Sequence, residues 1–142
     1  MNNRSGEAVW EGSIREGKGR VKLGSGAFEG AYSFGTRFAG EVGTNPEELL
    51  GAAHAACFSM QLAANLGRAG YPPQRIHTTA KVSLDKVGEG FQITHIHLDT
   101  EAQVAGIDEQ TFLEAAHKAE TGCPVSQALA AVEISLDARL MH

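Results

Sequence analysis

Two cysteines, Cys57 and Cys123, are the residues most able to do chemistry in this chain. Cys57 lies in the apolar run Leu49-Leu50-Gly51-Ala52-Ala53-His54-Ala55-Ala56-Cys57-Phe58-Ser59-Met60, and Cys123 stands in Gly122-Cys123-Pro124. A thiol becomes a nucleophile when positive charge or a helix N-terminus favours its thiolate. Cys123 has the second feature, because Pro124 in a first helical turn would put the sulfur near unpaired N–H groups. Cys57 falls in mid-helix and needs a cation from elsewhere. Arg37, in Gly35-Thr36-Arg37-Phe38 among apolar neighbours that would shield its charge, is the candidate. On these local grounds Cys123 ranks slightly ahead as the nucleophile. Plain packing is the bland reading of a cysteine in an alanine-rich helix.

Other side chains invite weaker readings. His54 precedes Cys57 by three residues, on nearly the same helix face, so a Cys–His pair is conceivable. His95 and His97 would share one strand face, but no third ligand of fitting spacing follows them, and decoration of a solvent face is the better account. Glu47 in a first helical turn suits the helix dipole whether or not it serves chemistry. The glycine-rich stretch 24–30 lacks the Lys-Ser/Thr of a phosphate loop.

Composition narrows the field. A chain of 142 residues predicts one domain, 1–142, with a core that needs no disulfide staples. Net charge is −5 and no Lys/Arg-rich run stands out, which argues against nucleic acid as a partner. No apolar h-region follows the first residues, and the longest apolar run is interrupted by His54, Ser59 and Gln61; neither a signal peptide nor a membrane span is expected. The expected location is cytoplasmic, with both thiols reduced at rest.

The elements that must position these residues follow from periodicity and caps. Residues 8–15 and 18–23 read as a short hairpin, 31–36 as a third short strand, and 37–45 as irregular. Asn45, Pro46 and Glu48 mark a helix start, and the helix should run to about Arg68, before Gly70 and Pro72-Pro73. Alanine and leucine occur on every side of it, so it must be covered all round, and a partner subunit is the simplest second cover. Residues 75–86 and 91–103 alternate as strands around a Gly88-Glu89-Gly90 turn. Helices are expected over 109–120, capped by Asp108, and from Cys123-Pro124 to about 131. A strand over 132–140 closes the chain. Partly segregated strand and helix runs favour an α+β fold over a doubly wound sheet.

Several segments together resemble the osmotically inducible protein C family of organic hydroperoxide peroxidases. They are Thr36-Arg37-Phe38, Gly43-Thr44-Asn45-Pro46-Glu47-Glu48-Leu49, His54-Ala55-Ala56-Cys57-Phe58-Ser59-Met60 and Gly122-Cys123-Pro124-Val125-Ser126, with Val82-Ser83-Leu84-Asp85 and Ile134-Ser135-Leu136-Asp137 also fitting. The resemblance spans nearly the whole chain. It favours this branch over the sister organic-hydroperoxide-resistance branch, because the arginine sits in the loop just before the long helix. It implies two long-stranded antiparallel sheets packed around central helices in an intertwined homodimer.

The resemblance also assigns roles, and reverses the local ranking of the thiols: Cys57 matches the peroxidatic cysteine, Cys123 the resolving one, and Arg37 and Glu47 the charged pair of the motif. Arg37 would stabilise the Cys57 thiolate and hold the hydroperoxide, with Glu47 fixing the guanidinium by a bidentate pair. Phe34, Phe38, Phe58 and Met60 would house the organic group. No metal or other cofactor is implied, and the reductant would be a dithiol of the dihydrolipoyl type. Glu47 and Cys57 lie ten residues apart on one helix, about 15 Å along its axis and roughly 80° around it; if both serve one site, either the helix is broken or they come from different subunits, and an antiparallel pairing of two copies across a two-fold axis would solve this. The competing expectations are a redox sensor using the same thiol pair, and a non-enzymatic scaffold or binding dimer with packing cysteines.

Overall fold

The computed structural model describes residues 2–142. The chain divides into two compact units, Met1–Leu49 and Leu50–His142.

The first unit holds an antiparallel sheet of β1 (Gly6–Glu11), β2 (Lys18–Leu23) and β3 (Glu29–Tyr32), in that order, followed by a one-turn helix α1 (Phe34–Phe38). β1 stops at Gly12, whose φ of +100° suits glycine alone, which is why the strand ends short of residue 15. On β2, Gly19 pairs with Trp10 on one side and Tyr32 on the other. The two rings close over it with centroids 5.5 Å apart, and a β-carbon at Gly19 would come within 2.4 Å of the tyrosine ring. The chain then turns from sheet to helix at Ser33. Its hydroxyl accepts from the Thr36 N–H at 3.2 Å while its own N–H donates to Thr36 Oγ1 at 2.9 Å, a reciprocal cap. Residues 34–38 are therefore helical where a strand to 36 and an irregular stretch from 37 were expected. This correction matters because Phe34, Arg37 and Phe38 lie on α1.

α2 (Pro46–Arg68) starts in the first unit and continues into the second. Asn45 caps it: Oδ1 accepts from the Glu48 N–H at 2.8 Å, and Nδ2 donates to the Thr36 carbonyl at 3.0 Å, tying the helix start to α1. By length and composition α2 could cross a bilayer. In the second unit, however, His54, Phe58, Leu62 and Leu66, four residues apart along one face, are all completely buried.

The sheet they face consists of β4 (Arg75–Val87), β5 (Gly90–Gln103) and β6 (Glu133–Met141), in that order. Along β5 the alternation is clean: Ile96, Leu98, Thr100 and Ala102 are buried, while His95, His97, Asp99 and Glu101 face the other way. The buried Thr100 hydroxyl is satisfied by Thr78 Oγ1 at 2.9 Å, which also accepts from Ser59 Oγ of α2 at 2.8 Å. α3 (Glu109–Gly122), capped by Asp108, contributes Phe112, Ala115, Ala116 and Ala119 to the same core. Burying each large aliphatic or aromatic side chain contributes about 1.5–3 kcal/mol.

β4 and β5 are antiparallel, but β6 runs parallel to β5, from His95 opposite Glu133 to Gln103 opposite Met141. A parallel neighbour requires a crossover, and α3 with the short α4 (Pro124–Ala128) supplies it. The fold class is α+β, as expected. The second sheet is mixed rather than wholly antiparallel, and the strands of the first have only four to six residues.

Candidate active site

The crossover brings the two thiols together. Cys123 sits at the corner between α3 and α4 and serves both: its N–H donates to the Ala119 carbonyl at 3.1 Å, and its sulfur accepts from the Ser126 N–H at 3.3 Å. Pro124 at the next position costs no helical hydrogen bond. Cys123 is completely buried; Cys57, one residue before Phe58 on α2, keeps partial exposure, and both are free thiols. Cys57 and Cys123 lie close enough to perturb one another's ionisation, and the Val125 backbone lies beside the Cys57 sulfur. Burial pushes the Cys57 thiol above its ordinary range. The Val125 N–H opposes this, and the neighbouring Cys123 adds to the rise. The second unit thus aligns the thiols without supplying the cation that would ionise Cys57.

His54 does not serve Cys57. Its Nε2 lies 2.7 Å from Ser126 Oγ, and Ser126 Oγ accepts from Cys123 Sγ at 3.4 Å. The imidazole is bonded toward the other cysteine. Burial pulls its pKa below the ordinary histidine range, and Nδ1 has no partner. The sequence shows Ser126 only as part of the motif Gly122-Cys123-Pro124-Val125-Ser126 and gives it no role of its own. Its signal was the spacing Cys123-Pro124-Val125-Ser126, which puts a hydroxyl three residues beyond a helix N-cap.

In the first unit Arg37 Nε donates to Glu47 Oε1 at 2.8 Å. The expected bidentate pair is absent: Glu47 Oε2 is buried with no hydrogen-bond partner. The Arg37 guanidinium also lies over the Phe38 ring, 5.3 Å from its centroid, and Phe38 packs on Phe34 at 5.0 Å. Phe34 and Phe38 are thus neighbours one turn apart on α1. Phe58 is 0% exposed on the core face of α2. Met60 lies on the opposite face and is 75% exposed.

Across the sheet, His97, Asp99 and Asp137 each bring a possible ligand atom within 4.8 Å of the others. The fold supplies what the sequence spacing did not show. Asp99 is already held by Arg139 at 2.7 Å, and His95 and His97 both bond to Ser135. The cluster is accounted for by cross-strand pairing on an open face.

Residues 38–137 match the family model described as OsmC-like protein. The chain is also 58% identical to Peroxiredoxin OsmC of Escherichia coli (strain K12) over 139 residues, 97% of this chain and 96% of that one. The chain belongs to the OsmC-like family. Among solved structures, an OsmC-like protein from Mycoplasma pneumoniae superposes with a TM-score of 0.77 at 16% identity, covering 99% of each chain. The organic hydroperoxide resistance protein OhrB of Bacillus subtilis gives 0.69 at 23% identity, covering 96% of this chain and 98% of that one. These likenesses establish the OsmC-like fold for sheets, helices and crossover alike.

Proposed function

We propose that this protein is a cysteine peroxidase that reduces organic hydroperoxides to alcohols in defence against oxidative or osmotic stress. The observation that carries this reading is the proximity of two free thiols from positions 57 and 123, one shut inside the fold and one partly open. The 58% identical relative bears the name peroxiredoxin, which agrees with it.

The Cys57 thiolate attacks the terminal oxygen of ROOH. The O–O bond breaks, the alkoxide takes a proton and leaves as alcohol, and Cys57 becomes a sulfenic acid. Cys123 then attacks the oxidised sulfur, giving the disulfide and water. A dithiol of the dihydrolipoyl type restores both thiols in a cytoplasmic setting. No other cofactor enters these steps.

Cys57 needs a cation, because burial alone works against its ionisation. Arg37, steadied by Glu47, is the proposed source, and a second copy of the chain is the proposed means of delivery. α2 runs unbroken from Pro46 to Arg68, so Glu47 and Cys57 stand about 15 Å apart along it. The face of α2 opposite Phe58 carries Ala52, Ala56, Met60 and Ala64, all exposed, and an antiparallel copy would cover it. Phe34 and Phe38, arriving with Arg37, would then shelter the organic group.

Turnover with cumene hydroperoxide and with hydrogen peroxide, each driven by dihydrolipoamide or by thioredoxin, tests the reading. The expected result is faster turnover with cumene hydroperoxide and dihydrolipoamide, and loss of both thiols after one equivalent of peroxide. Thiols unchanged by peroxide would support a scaffold dimer. Stoichiometric oxidation without turnover under excess dithiol would support a sensor.

A further inference from the structure

The peroxidase steps leave one buried base without work. His54 is 0% exposed and Ser126 4%, and they meet at 2.7 Å between Nε2 and Oγ across 72 positions of sequence. Ser126 Oγ accepts from Cys123 Sγ at 3.4 Å, so its own hydrogen is free to be donated, and His54 Nε2 is the acceptor within reach. Nδ1 then carries the ring hydrogen, and it is the atom left without a partner. The result is a directed row from thiol to hydroxyl to the lone pair of a neutral imidazole. Cys123 has no surface through which to hand a proton to bulk water, being 0% exposed.

We propose that Ser126 and His54 form a proton relay that activates Cys123 for its attack on oxidised Cys57. The proposal rests on the reading of Cys123 as the resolving thiol. The Cys123 proton passes to Ser126 Oγ as the Ser126 proton passes to His54 Nε2. The freed electron pair on Cys123 Sγ attacks the Cys57 sulfur. The S–S bond forms and the S–O bond breaks, its electrons leaving on hydroxide, which takes a proton from water on the open side of Cys57. His54 returns its proton through Ser126, which borders a recess of about 400 Å³ lined also by Glu120, Thr121 and Gln127. The net change is one sulfenic acid and one thiol becoming one disulfide and one water, with the hydroperoxide as the only oxidant. Ser126 touches the reacting sulfur and is a catalytic residue; His54 acts through it.

A single-turnover experiment on the reduced full-length protein separates the steps. Cumene hydroperoxide is added, and samples quenched with an alkylating agent and with dimedone report Cys57 thiol, Cys57 sulfenic acid and disulfide by mass spectrometry. In Ser126→Ala and His54→Gln, the peroxide step should keep its rate while disulfide formation slows about 10²-fold, the range of a lost general base. Sulfenic acid should accumulate, and Ser126→Thr, which keeps the hydroxyl, should recover most of the rate. The unchanged first step doubles as the test that each variant is folded. Disulfide formation at the original rate in either variant would overturn the relay. So would equal slowing of both steps, which marks a structural role. If the unmodified protein formed neither sulfenic acid at Cys57 nor the disulfide, the peroxidase reading would fall and the relay with it.

Discussion

Arg37 meets Glu47 through one hydrogen bond, Nε to Oε1 at 2.8 Å, while the second carboxylate oxygen is buried and unpaired. A guanidinium held by one edge keeps its charge available to another anion.

Arg37→Ala should therefore raise the pKa of Cys57 and slow the peroxide step by about 10²-fold, as expected for loss of one charge-stabilising donor. Glu47→Gln should do the same more weakly. Ultraviolet thiolate absorbance against pH, beside stopped-flow peroxide kinetics, checks both. An unchanged Cys57 titration in Arg37→Ala would remove the arginine from its proposed role.

The two cysteines should fail differently. Cys57→Ser is expected to abolish turnover outright. Cys123→Ser should consume one equivalent of hydroperoxide and stop with Cys57 as a sulfenic acid, which dimedone labels. A burst retained by Cys57→Ser, with Cys123→Ser inert, would exchange the two assignments.

His54 ties stability to pH. Burial pulls its folded pKa below the unfolded value of about 6.5, so below that pH the unfolded chain takes up a proton that the folded chain does not. Its contribution is fully present above about pH 6.5 and is lost as pH falls through the folded pKa. Urea unfolding measured at a series of pH values should show a steeper acid-side decline in the unmodified protein than in His54→Gln. Parallel curves would mean that His54 is not buried as a neutral base.

Covering α2 should require a second chain. The unmodified protein should elute at about twice the 15.0 kDa of one chain. Ala56→Glu or Met60→Glu, placing a carboxylate on the exposed face, should yield a folded monomer with greatly reduced peroxidase rate. A monomeric, fully active unmodified protein would exclude sharing of Arg37 between copies.

Core truncation gives the scale of the fold's stability. Phe112→Ala removes a completely buried ring of α3 from the core cluster that also holds Leu62, Leu66, Ile96 and Leu98, and should cost about 3–5 kcal/mol by urea denaturation.

Local chemistry announced much of this architecture in advance. Asn45, Pro46 and Asp108 are helix-start signals whose effect is confined to one turn, and α2 and α3 begin where they direct. β4 alternates from Arg75 to Val82, and β5 from His95 to Gln103, because one sheet face is covered and the other open. The helix α1 escaped because its sequence, Phe34-Gly35-Thr36-Arg37-Phe38, is short and aromatic at both ends, and only the Ser33–Thr36 reciprocity reveals it. The parallel setting of β6 depends on how the crossover returns, which alternation along one strand does not encode. The pairing of His54 with Ser126 is a contact across 72 positions; sequence placed His54 beside Cys57, whereas the fold turns it toward Cys123. Phe58 reads as a substrate contact from its adjacency to Cys57, but helical rotation sends adjacent residues to different sides.

The unequal burial of the two sulfurs imposes a direction on recovery. On the proposed mechanism an incoming thiol would reach the half of the disulfide that retains surface, so the mixed disulfide would form on Cys57, with Cys123 departing as the leaving group into the interior. The enclosed sulfur would then not meet the reductant, and the choice of electron donor would be made at the mouth above Cys57.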